Sequence, residues 1–95
     1  IENIVKKVSE ISCVKEDDIV GKSRKMEIAE ARQVSMFLCR DIMGTSLNNI
    51  GMFFGGRDHT TVLHALKTIG KKQSSNDRMK RMIISIKKDL GFSFL

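Results

Sequence analysis

The stretch SLNNIGMFFGG, residues 46–56, followed by RDHTTVLHALKTIGK, residues 57–71, decides the fold. Leu47, Ile50 and Phe54 recur at helical spacing, and Thr45-Ser46 supply a cap for a short helix over about 46–54. Gly51 lies inside that helix, where glycine costs about 1 kcal/mol against alanine. A second helix crossing closely would explain it. Gly55-Gly56 then make a turn. Asp58 is a good N-cap for a longer helix over about 58–71, with Val62, Leu66 and Ile69 as its core stripe and Ala65 at the edge. Thr60, His64, Lys67 and Lys71 take the opposite side, which is polar and mostly basic.

Working outward, helical spacing continues almost everywhere and proline is absent, so the expected class is all-α. Ile4, Val8 and Ile11 predict a first helix over Ile1–Ser12. Residues 13–20 read as a loop or one short turn anchored by Ile19 and Val20, and Gly21-Lys22-Ser23-Arg24-Lys25 as a basic loop. A helix follows from about Ile28 to Met43, with Ala31, Val34, Ser35, Leu38 and Ile42 inward and Gln33 and Arg40 sharing a polar face. Gly44 is its natural stop. Lys72–Asn76 read as a linker. The last helix, Asp77 to about Leu90, buries Met79, Met82, Ile83, Ile86 and Leu90, and Gly91 ends it.

Composition limits the functions. Ninety-five residues, 41% of them hydrophobic, make one small domain, 1–95, with one modest core. No apolar run approaches the roughly 20 residues that cross a bilayer. The chain opens at Ile1 without methionine, so it is expected to be a piece of a longer protein. Net charge is +6, unevenly spread: residues 1–19 carry three lysines against five carboxylates, net −2, which leaves +8 for the rest. A basic body with an acidic end suits a polyanion, nucleic acid before anionic lipid.

Metal and catalytic readings are weak. Cys13 and Cys39 match no zinc spacing and are expected to be reduced and buried. His59 and His64 are five apart, not the i, i+4 pair that grips a metal. No metal site and no catalytic residue are expected. Gly21-Lys22-Ser23 imitates the end of a phosphate-binding loop, but Glu16 stands where its first glycine belongs and Asp17 and Asp18 would repel phosphate. Ser46, His59 and Asp58 form a nucleophile–base set only on paper, since Asp58 and His59 adjoin at a helix start.

Two helices joined by a tight glycine turn are either a helix-turn-helix or an ordinary capped helix hairpin. In the first case the tip Arg57-Asp58-His59-Thr60-Thr61 would enter a major groove. Arginine binds phosphate or guanine, aspartate accepts from cytosine N4, histidine donates, and a threonine methyl meets the thymine methyl.

The run Gly55-Gly56-Arg57-Asp58-His59-Thr60-Thr61-Val62-Leu63-His64-Ala65 resembles the signature of the DnaA family of bacterial replication initiators. Upstream, Ala31–Leu38 and Ser46–Gly51 are also similar to that family's segments, and the likeness spans roughly residues 3–90. It implies a C-terminal domain that binds double-stranded DnaA boxes at the replication origin. The major groove would be read by the helix-turn-helix and the minor groove by a basic loop. By position, Arg24 matches the minor-groove arginine, Asp58, His59, Thr60 and Thr61 the major-groove readers, and Leu47 and Asn48 a base-touching pair. Gln33, Arg40, Arg57 and His64 fall at backbone-contacting positions, joined by Lys22, Lys25, Arg32 and Lys67. Arg32 also lies beside the apolar arc, where a structural role competes. Asn48 and Ala31 stand where the family often has proline, and Met26 and Glu27 make the loop's downstream side less basic. Glu27 and Glu30 oppose minor-groove attraction.

The resemblance further implies a monomeric isolated domain without a cofactor. ATP and Mg would be held by a separate ATPase domain that also drives oligomerisation. The location would be cytoplasmic, at the nucleoid. Acidic phospholipid is the alternative partner, through the basic first or last helix. Glu2, Glu10, Asp77 and Asp89 interrupt those faces.

Overall fold

The computed structural model describes residues 1–91, so positions 92–95 of the expected domain lie outside them. The described chain is all-α: α1 (Glu2–Ser12), α2 (Glu16–Val20), α3 (Met26–Met43), α4 (Leu47–Phe53), α5 (His59–Ser75) and α6 (Asp77–Asp89). None of these helices is long and apolar enough to cross a membrane.

α3 is the central element. It packs on α1 and α2 on one side and on α5 and α4 on the other. Hence more than one face is buried: Val34 and Leu38 of the expected stripe, and also Met36 and Cys39 beside it. Gly44 closes α3 in the left-handed conformation, its N–H donating to Arg40. Ile50 and Phe54 of the short helix and Val62 and Ile69 of α5 complete the core beneath the glycine turn. α6 lies along α5 and α1 and buries Met79, Ile83 and Ile86.

Two expectations change, at the linker and at Cys13, and one of two open readings is decided at residues 16–20. Residues 16–20 form a short helix, seated by fully buried Ile19 and by Asp18 and Ile19 amides that donate to Lys15. α5 continues to Ser75 through most of the expected linker. Lys72 is tied to Glu30 at 3.1 Å, and the Ser74 and Ser75 hydroxyls turn back onto the Gly70 and Lys71 carbonyls, so the extra turn has partners. Asn76 alone connects to α6 and caps it, its Oδ1 accepting from the Met79 amide at 3.0 Å. Cys13 is exposed, not buried: it ends α1 at φ 58°, a place usually left to glycine. Cys39 is buried as expected, and burial pushes its thiol up to about 11.

The crowding at Gly51 comes from the turn more than from the neighbouring helix, although Val62 Cγ2 of α5 would lie 3.5 Å from a Cβ there. Such a Cβ would collide with the carbonyl oxygen of Arg57, the residue just past the turn. The Arg57 amide donates to the Gly51 carbonyl at 2.9 Å. The turn folds back onto α4 and only a residue without a side chain admits it.

Candidate nucleic-acid interface

Both helices of the motif start with a side-chain cap. Ser46 Oγ accepts from the Asn49 amide at 3.1 Å, and Asp58 Oδ1 from the Thr61 amide at 2.9 Å. Gly55 and Gly56 at φ 87° and 74° bring the chain from one to the other. Hydrogen bonding from the Thr61 amide holds the Asp58 carboxyl below the usual carboxylate range, so at neutral pH it is an ionised acceptor. Asp58, His59, Thr60 and Thr61 are all exposed, while Val62 on the same helix is fully buried. The tip is therefore anchored by its apolar side and offers its polar side to solvent.

Two adjoining clefts flank this tip. Lys22, Ser23 and Arg24 of the basic loop face Gly55, Gly56 and Arg57 across the first. Gln33 and Met36 of α3 face Arg57, Thr61 and His64 across the second. Arg32 and Arg57 line both. Lys22, Arg24 and Lys25 are exposed, and Lys67 is exposed one turn beyond His64 on α5.

Other expected contacts lie apart from the clefts. Arg40 is exposed, and its Nη1 donates to the Thr45 carbonyl at 3.1 Å, beside the start of α4. Leu47 is half-buried against the core, with exposed Asn48 next to it.

Of the two roles open to Arg32, the structural one is realised. It is only 6% exposed. Its Nε donates to the Ile19 carbonyl at 2.7 Å, Nη1 to Ser23 and Nη2 to Asp18, both at 2.9 Å. All three nitrogens thus hold the end of α2 and the middle of the loop. Any phosphate contact uses only the N–H bonds left over. Burial lowers its pKa, as does the nearby Arg57 charge, against the opposing pull of Asp18. The signal was in the register: Ile28, Arg32, Ser35 and Cys39 recur at helical spacing, and all four are buried.

Arg57 does related work. Its Nη1 donates to the Phe54 carbonyl at the end of α4, and its Nη2 to the Gly21 carbonyl at 2.9 Å. The imitation of a phosphate-binding loop resolves here too: a helix precedes Gly21, and the Gly21 and Ser23 carbonyls are both taken by arginines. Glu30 faces away from the loop. It pairs with Lys72 and Arg78 at 3.1 Å each. Burial works to raise its pKa, but hydrogen bonds from Lys72 and Arg78 outweigh this and lower it.

The sequence model of the family described as bacterial dnaA protein helix-turn-helix matches residues 1–69. The chain is 43% identical over 88 residues to the chromosomal replication initiator protein DnaA of Chlorobaculum tepidum, covering 93% of this chain and 18% of that protein. It is 46% identical over 81 residues to the protein of the same name from Laribacter hongkongensis, covering 85% of this chain and 17% of that one. A solved chain described as a DNA replication initiation factor superposes with a TM-score of 0.80 at 32% identity, covering 90% of this chain and 26% of its own length. The chain thus spans less than a fifth of these two curated relatives.

Proposed function

The chain belongs to the bacterial DnaA helix-turn-helix family, and from that premise we propose that it binds duplex DNA at DnaA boxes during initiation of chromosomal replication. The observation that carries this reading is the exposed tip of α5 standing beside a cleft rimmed by Lys22, Arg24 and Arg57.

The tip of α5 reads the major groove. His59 and Thr60 carry no capping duty, so a donor, a hydroxyl and a methyl face the base edges freely. Asp58 accepts from a base with the oxygen that Thr61 leaves open, and Thr61 sits at the cleft edge. Leu47 and Asn48 approach from the start of α4. Arg24 enters the neighbouring minor groove, whose negative potential attracts arginine. Lys22, Lys25, Gln33, Arg40, Arg57, His64 and Lys67 hold phosphates and fix the register without reading sequence. The α5 N-terminus adds its own attraction for phosphate.

The domain acts as a DNA-binding part and not as an enzyme. ATP and Mg belong to an ATPase domain elsewhere in a longer protein, which also arranges neighbouring copies. This part binds one asymmetric site as a monomer.

Fluorescence anisotropy with a box-containing and a scrambled duplex at fixed salt tests the reading. Specific sites exceed non-specific ones by roughly 10³-fold or more in such proteins. Equal affinity for both duplexes would refute base reading, and tighter binding to anionic vesicles than to either duplex would favour a lipid surface.

A further inference from the structure

The basic loop has no regular structure of its own between Gly21 and Lys25. It is nevertheless held at two of its own carbonyls, Gly21 and Ser23, and at two more, Asp18 and Ile19, in the α2 turn that leads into it. Arg32 takes Asp18, Ile19 and Ser23 from the α3 side. Arg57 takes Gly21 from the side of the glycine turn, while its other terminal nitrogen holds Phe54. The turn also runs close to the end of α2 and the start of the loop: a Cβ at Gly55 would stand 3.2 Å from the Val20 carbonyl oxygen and 3.9 Å from that of Gly21. Hydrogen bonds from a charged guanidinium to carbonyls are stronger than neutral ones. Arg32 and Arg57 together make a two-sided clamp, and Arg57 is its only arm that reaches α4.

We infer that Arg57 and Arg32 are positioning residues that set the loop relative to the reading helix, so that Arg24 and the tip of α5 discriminate sequence as one unit. This rests on the function proposed above. Simple phosphate anchoring by Arg57 would weaken every duplex alike. A clamp instead makes the value of Arg24 depend on Arg57. Arg57→Lys separates the two: it keeps the charge, but one ammonium cannot span Phe54 and Gly21 as a guanidinium fork does.

The test is a double-mutant cycle by anisotropy, with Arg24→Ala and Arg57→Lys alone and combined, on box and scrambled duplexes. Arg24→Ala should cost about tenfold on the box in the wild-type background. In the Arg57→Lys background it should cost about twofold, a coupling of about fivefold, within the range for residues sharing one network. The scrambled duplex should show no coupling. In the free protein, the amide resonances of Ser23, Arg24 and Lys25 should shift in Arg57→Lys, while those of the α6 interior stay in place. Should Arg57→Lys fail to melt cooperatively, Arg57→Gln takes its place in the cycle. Costs that simply multiply, or loop resonances that do not move, overturn the clamp and leave the DNA reading intact. If Arg24→Ala costs nothing on the box in the wild-type background, the loop does not touch DNA and the clamp falls with that part of the reading.

Discussion

Gly51→Ala should destabilise the domain, against what helix propensity alone gives. In an unhindered helix interior the change is worth about 1 kcal/mol in favour of alanine. At position 51 the new Cβ would collide with the Arg57 carbonyl oxygen and stand 3.1 Å from its carbonyl carbon. Both are backbone atoms, so no rotamer change relieves them. The peptide after the turn must retreat. Overpacking of this kind costs about 1–3 kcal/mol. The retreat also lengthens the Arg57 N–H bond to the Gly51 carbonyl, 2.9 Å in the native fold, and losing it costs about 1 kcal/mol. That loss offsets the propensity gain and leaves a net destabilisation of about 1–3 kcal/mol. In a domain of this size each kcal/mol moves Tm by about 4–8 °C, so Tm should fall by about 4–24 °C. Gly70→Ala is the control. Its Cβ would meet nothing closer than Phe37 Cε1 at 4.0 Å, so propensity should express itself and raise Tm by about 4–8 °C. Melting followed by helical circular dichroism distinguishes the two. A Gly51→Ala domain that melts at or above wild type would refute the packing argument for the turn.

His59→Ala and Thr60→Ala should each cost about 1–3 kcal/mol on the box and hardly affect scrambled DNA in anisotropy; Asp58→Asn keeps a capping oxygen and should retain near-native melting while losing preference for the box. Arg40→Ala should weaken both duplexes alike and flatten the log–log salt slope by about 1, whereas an unchanged slope would make Arg40 only a surface charge. Glu30 has a lowered pKa in the folded state, so the stability it contributes is complete above the unfolded value near 4.5 and fades as pH falls through the folded value; acid unfolding profiles of wild type and Glu30→Gln should converge below that window and separate above it. Cys39 has its folded pKa raised from 9.0 to about 11, so stability present below pH 9 should drain away between 9 and 11, by on the order of 2–3 kcal/mol. Denaturant titrations of Cys39→Ala should lack that alkaline slope, and an equal slope would mean the thiol is not sheltered.

The helical outline was legible because each helix carries an apolar period and the two motif helices carry caps. The cap at Asp58 and the stop at Gly44 appear where side-chain chemistry puts them. What was not legible depends on contacts distant in the chain. Lys72 to Ser75 read as a linker because nothing local shows that Glu30, 42 residues away, holds Lys72. Residues 16–20 left a loop and one short turn both open, because so few positions cannot show a period. The register of Arg32 beside the apolar arc leaves a structural and a phosphate-binding role both open, and the structural one is realised because backbone carbonyls of α2 and the loop accept from it. Exposure of the tip residues was readable from the α5 period. The linkage of Arg57 to Gly21, 36 residues away, was not.

The distribution of ion pairs explains how a modest net charge yields a directed basic surface. Glu30 is bound to Lys72 and Arg78, and Asp41 to Lys87. Asp58 is turned to the cap of its own helix. Among the described residues Lys22, Arg24, Lys25 and Arg57 make no ion pair with any carboxylate. Exposed pairs of this kind add at most about 1 kcal/mol each to stability, so their main consequence is for the field. Three carboxylates are neutralised or occupied, and Lys22, Arg24 and Lys25 stay unpaired beside the α5 tip, with exposed Glu27 the carboxylate that follows them in the chain. Arg32 and Arg57 repel each other within that cluster and are kept there by carbonyl oxygens, which carry no net charge. A phosphate approaching the first cleft therefore finds positive charge already gathered and oriented. The backbone bonds that gather it also tie the loop to the turn before α5.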